Sequence, residues 1–446
     1  MRKILILGAG RSASSLIHYL IGHADQQEWR ITIADKDEAH ASSMAHEGPE
    51  VATGIALDAS DGAARAALIA KHDLVISMLP AFMHMDVLRD CLAHKKHVIT
   101  PSYVPEDLWK MNDELRSAGL VVLNEMGLDP GIDHMSAMRI LDRVRAEGGR
   151  MESFESYTGG LVAPESDDNP WGYKFSWNPR NVVLAGQGGA AKYIRNGTVK
   201  YIPYHRLYKQ TERIDVPGFG GFDGYANRDS LKYRKAYGIE GIPTLLRGTL
   251  RKAGYCEGWD AFVQLGCTDD GFAMELGPDA TWKDYVNAFL PSAQGQDTRA
   301  AMAKYLELDP KGRVMGMMDS LGLFGTDRIG VQGLSPAATL QHLLEAKWKL
   351  GPEDKDMVVM WHRFRYALAG AQREIQASLT VVGQDQHHTA MSRTVGLPIA
   401  IGCKLVLNGK IADRGVLLPL KPELYDPILN ELEKLGIAFH EEDVEA

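Results

Sequence analysis

Short apolar runs recur along the first part of the chain, at Ile4–Leu7, Ile31–Ala34, Val51–Leu57, Leu74–Leu79, Val98–Thr100 and Leu120–Leu123, with stretches of helical spacing between them. Runs without polar alternation belong to strands covered on both faces, and strands that alternate with helices build a parallel sheet. The pattern predicts a doubly wound α/β layer over residues 1–124. A further strand is expected near Glu152–Tyr157, after which Gly, Pro and aromatic residues crowd positions 159–224 and periodicity fades, as in long functional loops. Trp259–Cys267, Met357–Tyr366 and Glu374–Val382 read as strands, the last two joined at Ala369–Gly370, so an antiparallel second sheet is expected. Positions 278–350 look helical. There Ser335–Pro336 offers a cap and a first helical residue, and Leu340, Leu343, Leu344 and Trp348 share one face. The tail from His388 reads as a helix, short strands and a last helix, Pro422–Leu435, that returns to the first sheet.

Composition narrows the class. The chain has 446 residues, 45% hydrophobic and 24% charged, as in ordinary globular proteins. With 49 basic and 58 acidic residues the formal charge is −9, and no long basic run stands out, which argues against a sequence-independent grip on nucleic acid or anionic lipid. Cys91, Cys256, Cys267 and Cys403 are too widely spaced for a disulfide framework. Four apolar residues before Gly8 are too few for a signal peptide, and no uninterrupted apolar run is long enough to span a membrane. The expectation is a cytoplasmic protein without membrane or nucleic-acid partners. The histidines, His387 and His388 included, show no zinc-ligand spacing, so no metal is expected.

The first strand runs into Gly8-Ala9-Gly10-Arg11-Ser12-Ala13 and then a helix. Gly8 permits a tight turn, Gly10 lets the backbone approach a pyrophosphate, Ala13 allows close helix packing, and the helix end attracts phosphate charge at Arg11 and Ser12. The second strand ends at Asp35, 25 residues after Gly10 (35 − 10), where a carboxylate can accept both ribose hydroxyls of NAD. Asp35 repels a 2′-phosphate, whereas Lys36 and Arg11 can attract one. NAD is favoured and NADP left open. Asp58 suits either an adenine-side contact or a turn, and Leu79-Pro80, at the end of the fourth strand, either faces the nicotinamide half or simply ends the strand.

Thr100-Pro101-Ser102-Tyr103 and Asn124-Glu125-Met126-Gly127-Leu128-Asp129-Pro130 follow the fifth and sixth strands and emerge at the same edge. Tyr103 and Asp129 are candidates for proton handling, although aspartate before proline is also a good helix cap. His134 is either a base or a structural histidine. Arg228 in Asn227-Arg228-Asp229-Ser230 and Arg251 in Arg247-Gly248-Thr249-Leu250-Arg251 are candidate carboxylate forks, or solvated surface residues.

Together these segments, with Gly159-Gly160-Leu161 and Asn169-Pro170-Trp171-Gly172-Tyr173-Lys174-Phe175-Ser176-Trp177, resemble the glutamate-forming saccharopine dehydrogenases, also called saccharopine reductases. The resemblance is carried from Gly8 to Arg251. It implies a Rossmann domain at 1–124 joined by 388–446, a mixed α/β substrate-binding domain at 125–277 and 351–387, a helical insertion at 278–350, and a homodimer. It implies reversible oxidation of saccharopine to L-glutamate and 2-aminoadipate 6-semialdehyde with NAD or NADP. Carried onto this chain, it places Gly8, Gly10 and Arg11 at the pyrophosphate and Asp35 at the ribose. Leu79, Ser102, Leu128 and Asp129 fall on the nicotinamide side, with Trp177 bordering the cofactor. Ser102, Tyr103, Asp129, Arg228, Thr249, Leu250 and Arg251 fall on the substrate. The small residues Ser12 and Ala13, together with Lys36, Asp58, Pro80 and Pro101, complete the expected cofactor site.

Two departures stand out. Thr158 occupies a position where fungal members carry cysteine, and Asp35-Lys36 replaces the basic residues that end their second strand. Two other readings stay open at this point: an imine reductase of polyamine metabolism resembling carboxynorspermidine dehydrogenase, and a non-catalytic NAD(P) sensor.

Overall fold

The early apolar runs form β1 (Arg2–Leu7), β2 (Trp29–Asp35), β3 (Ala52–Ala56), β4 (Leu74–Ser77), β5 (His97–Ile99) and β6 (Val121–Leu123). The structure is a computed structural model that describes residues 1–291 and 297–444. The strands lie in the order β3-β2-β1-β4-β5-β6, each parallel to its neighbour, and the late strand Gly415–Leu417 adds in parallel to β6. This is the doubly wound sheet expected from the sequence. Leu5, Leu7, Val75, Val98 and Val122 bury one face with Ile69, Val87 and Leu88 from the covering helices. Ile4, Ile6, Ile76 and Ile99 are equally buried on the other face. Alternate positions pointing into two cores explain why these runs carry no polar alternation.

Two units can be distinguished. The first holds Met1–Met151, Tyr366–Arg373 and the chain from Leu379 onward; the second holds Glu152–Arg365 and Glu374–Ser378. In the first unit the helix Ala390–Leu407 is long and apolar enough, by length and composition, to cross a membrane, yet 72% of it is buried within the fold. It packs on the helix Ser14–Gln27 that follows the glycine turn. Contact is close because Gly396 has no side chain: a Cβ there would stand 2.9 Å from the Leu16 amide nitrogen and 3.1 Å from the Ser12 carbonyl oxygen.

In the second sheet Thr211–Val216 pairs antiparallel with Gly220–Ala226, which pairs antiparallel with Thr244–Lys252. Thr244–Lys252 in turn runs parallel to Arg150–Val162, so the sheet is mixed and not purely antiparallel. Next in order come the long strands Asp356–Leu368 and Ala371–Val382, joined at Ala369 and Gly370 with φ of 49° and 82°, the two left-handed residues of a tight hairpin. One expected strand is a helix. Tyr255–Leu265 takes up most of the Trp259–Cys267 run, and its buried Tyr255, Trp259, Phe262 and Leu265 recur at helical spacing between Gly254 and Gly266. Aromatic and branched residues imitated a strand there, but period and glycine caps decided otherwise. The stretch 278–350 contains the helices Trp282–Asn287, Thr298–Tyr305, Arg313–Ser320 and Pro336–Lys347; its residues 292–296 lie outside those described. Ser335 caps the last of these helices through the Ala338 amide, and Leu340, Leu343, Leu344 and Trp348 are buried.

Gly396→Val should destabilise the protein by about 1–3 kcal/mol through overpacking. Gly22→Ala, on the exposed side of Ser14–Gln27 where a Cβ meets nothing within 4 Å, should stabilise it by about 0.5–1 kcal/mol. Denaturant titration separates the two, and equal midpoints would contradict this packing.

Candidate active site

The strand order reverses between β1 and β4, so the loops leaving their carboxyl ends diverge and open a crevice. Gly8 has a φ of 94°, and a Cβ there would lie 3.2 Å from the Met78 carbonyl oxygen, so only glycine fits. At Gly10 a Cβ would meet nothing within 4 Å, which leaves the open approach a pyrophosphate needs. Ala13, buried, stands at the N-cap of Ser14–Gln27 and supplies no side-chain cap. The helix thus presents backbone amides to an anion beside the exposed Arg11 and half-buried Ser12. Asp35 turns one carboxylate oxygen to the Ala9 amide (2.8 Å) and the other to the Asp37 amide (3.1 Å). That fixes it beside the glycine turn, where a ribose would sit. These residues fit a dinucleotide.

Lys36 is drawn to Asp58, Nζ to Oδ1 3.3 Å, on the open surface. Asp58 also accepts from Ser60 Oγ (2.6 Å) and Ser60 N (2.9 Å), which holds its carboxyl below the usual range. Leu79 packs on the first unit's core, and Pro80 leads into the short turn Ala81–Met83 and the helix His84–His94.

The next two loops are tied together. Asp129 is not a helix cap: Ile132–Ala146 starts later, with Gly131 at the N-cap position, its amide donating to Asp133 Oδ1 (2.6 Å). The Asp129–Pro130 bond is cis. Asp129 Oδ1 accepts instead from the Tyr103 hydroxyl at 3.2 Å, joining the two proposed proton-handling groups. Glu125 braces the arrangement. Its Oε1 accepts from Val104 N (3.1 Å), its amide donates to Ser102 O (3.1 Å), and its Oε2 lies 2.8 Å from Nε2 of His134. His134 is fully buried and serves as a brace for this carboxylate. Pro101 lies against Gly127, where a Cβ would come within 3.0 Å of its ring, and buried Leu128 accepts from Asp133 N at 3.1 Å. Ser102 Oγ meets His84 Nε2 at 2.7 Å, while His84 Nδ1 meets Ser77 Oγ at 2.8 Å. Burial lowers the His84 pKa to about 4, so the ring is neutral near pH 7.

In the second unit, β pairing sets Tyr225 opposite Thr249 and Gly224 opposite Leu250. Ser230 Oγ accepts from Arg247 N (2.9 Å), which draws the Arg228 loop to the same strand; Arg228 itself is exposed, with a φ of 49°. Arg251 is only 3% exposed. Its guanidinium carbon lies 5.3 Å from the Tyr173 ring and 5.5 Å from the Tyr255 ring, with Tyr208 and Tyr225 also close. Burial raises the pKa of all four phenols, so they stay neutral. Nη1 donates to Leu250 O at 3.1 Å and Nε has no partner. Among the described residues, no carboxylate pairs with this cation. Trp177 Nε1 reaches the Tyr173 hydroxyl at 3.3 Å, and Thr158 Oγ1 is buried without a partner beside Thr249.

Residues 4–123 match the model of the saccharopine dehydrogenase NADP binding domain, and 127–437 that of the saccharopine dehydrogenase C-terminal domain. The chain belongs to the saccharopine dehydrogenase family. It is 35% identical to the NADP(+), L-glutamate-forming saccharopine dehydrogenases of Pyricularia oryzae and of Saccharomyces cerevisiae, over 99% of this chain and 99% of each relative. The structure of the apo yeast L-Glu-forming enzyme superimposes over 100% of both chains with a TM-score of 0.90 at 34% identity. A Legionella pneumophila homospermidine synthase shares the fold alone, at 10% identity and a TM-score of 0.53 over 98% of this chain and 91% of that one.

In this family member the sequence reading missed His84 and the tyrosine cage. Tyr173, Tyr208, Tyr225 and Tyr255 come from four separate segments, and no local spacing links them. His84 has only its place seven residues after Ser77 to mark it (84 − 77).

A histidine whose folded pKa lies below its unfolded value of about 6.5 stabilises the fold above that value and loses its contribution as pH falls towards the folded pKa. Stability should therefore drop between about pH 6.5 and pH 4, with His72 and His97, whose pKa values burial also lowers, adding in the same direction. His84→Gln should reduce the loss between pH 7 and pH 4.5 by about 2–3 kcal/mol in urea titrations. An unchanged loss would contradict the buried neutral ring.

Proposed function

We propose that this chain is a glutamate-forming saccharopine dehydrogenase of lysine metabolism that prefers NAD. It interconverts saccharopine, oxidised NAD and water with L-glutamate, 2-aminoadipate 6-semialdehyde, reduced NAD and a proton. The observation that carries this reading is Arg251, a buried guanidinium whose counter-ion has to come from a ligand, because an unpaired buried cation costs several kcal/mol. Saccharopine brings three carboxylates. Arg251 would take one bidentately and Arg228, at the protein surface, another. A polyamine without a carboxylate would leave Arg251 without its partner, and one with a single carboxylate would leave Arg228 idle.

The dinucleotide, when bound, supplies the hydride acceptor. Asp129 takes the proton from the substrate's secondary ammonium, freeing the nitrogen lone pair that drives hydride loss from the adjacent carbon. Tyr103, hydrogen-bonded to Asp129, steadies that carboxylate and then exchanges protons with the water that adds to the imine. Ser102 lies in the same loop and contributes a hydroxyl contact. Asp35 and Lys36 support the cofactor preference: the carboxylate would repel a 2′-phosphate, and Lys36 is engaged by Asp58. The fungal relatives are named for NADP(+). At this strand end the chain departs from the basic residues expected of such members.

Saccharopine-dependent appearance of reduced nicotinamide, followed with NAD and NADP in parallel, tests the proposal. NAD should support turnover with kcat/KM at least about tenfold above NADP, and Asp35→Ala should erase most of that preference by raising the KM for NAD. Absence of turnover with either cofactor would refute the reaction. An unchanged preference in Asp35→Ala would remove Asp35 from cofactor selection.

A further inference from the structure

A chain of three groups, Ser77, His84 and Ser102, crosses the carboxyl edge of the first sheet from the end of β4 to the loop after β5. Ser77 is 1% exposed and His84 4% exposed. The ring bridges Ser77 Oγ at 2.8 Å and Ser102 Oγ at 2.7 Å, with Thr100 Oγ1 a longer neighbour at 3.3 Å from the same Nε2. Its pKa shift has burial as its resolved cause, with no charged neighbour contributing. The ring is therefore surrounded by hydroxyls and needs neither a proton nor a counter-ion to stay in place.

We propose that His84 is a positioning residue for the reaction assigned above: it holds the Ser102 hydroxyl in one rotamer and one hydrogen-bonding sense. The proposal rests on that functional reading, in which Ser102 touches substrate or nicotinamide. A neutral imidazole donates at one nitrogen and accepts at the other, so Ser77 and Ser102 are bound with opposite polarity. Whichever nitrogen carries the hydrogen, the outward sense of the Ser102 hydroxyl is set by the ring. The Ser102 backbone is fixed independently, its carbonyl accepting from Glu125 N (3.1 Å) and Asn124 Nδ2 (3.4 Å). The side chain therefore owes its direction to His84. Among the described residues the Ser77 hydroxyl has no second hydrogen-bond partner, so the chain ends in the core.

A double-mutant cycle distinguishes positioning from general support of the fold. With saturating dinucleotide, His84→Phe and Ser102→Ala should each lower kcat/KM for saccharopine about tenfold, and the double variant should fall no further than either single one. His84→Gln, which keeps a donor and an acceptor, should stay within about threefold of the unmodified enzyme. Circular dichroism and the thermal midpoint monitor folding. If His84→Phe does not fold, Ser77→Ala takes its place in the cycle, with the same lack of additivity expected. A double variant that falls about a hundredfold, or Ser102→Ala with unaltered kinetics, would overturn the proposal while leaving the functional reading intact. Failure of the unmodified protein to turn over saccharopine would overturn both.

Discussion

A guanidinium buried among neutral phenols is the constraint that gives the second unit its meaning. Removing a cation from water costs several kcal/mol, and a protein retains such a group when something repays the cost. At Arg251 the repayment from within the chain is partial: one backbone carbonyl and the faces of Tyr173 and Tyr255. The surrounding packing maintains that cage. Gly159 and Gly248 let adjacent strands close up, since a Cβ at either would come within 2.6 Å of Leu250 O or 2.4 Å of the Tyr157 ring. In the reaction proposed above, an anionic ligand would complete the balance. The acidic total of −9 is no objection, because net charge describes the outer surface while one buried arginine sets the local sign.

The first unit solves a different problem, that of holding flexible loop chemistry on a rigid edge. Buried polar groups tie the loops after β4, β5 and β6 together: His84 joins Ser77 at the end of β4 to Ser102 after β5, Glu125 after β6 accepts from Val104 after β5, and His134 holds Glu125. Buried polar networks stabilise only when their members are satisfied. Tyr103 and Asp129, from two of these loops, meet as a hydrogen-bonded pair.

Much of this was legible where the signal is local. The parallel strands declared themselves as apolar runs, the glycine turn and Asp35 by their spacing, and Ser335–Pro336 as a helix start. Asp129 was ambiguous because Asp-Pro suits both a cap and a loop, and only the later start of the helix at Ile132 separates them. Trp259–Cys267 misled because β-forming residues lay at helical spacing. The Ala191–Arg195 and Thr198–Ile202 hairpin had a local mark that the reading passed over, the Asn196-Gly197 turn with both residues at positive φ. The tyrosine cage and the His84 bridge were beyond reach, since each joins residues distant in sequence whose chemistry exists only after folding.

The central claim, that Arg251 awaits a substrate carboxylate, is tested most directly by calorimetric titration of L-glutamate into the NAD-saturated protein and into its Arg251→Met variant. The account predicts binding to the unmodified chain, affinity weakened at least about a hundredfold in the variant, and a thermal midpoint that is unchanged or higher once the unpaired charge is gone. Equal affinity for glutamate in the two proteins would contradict it.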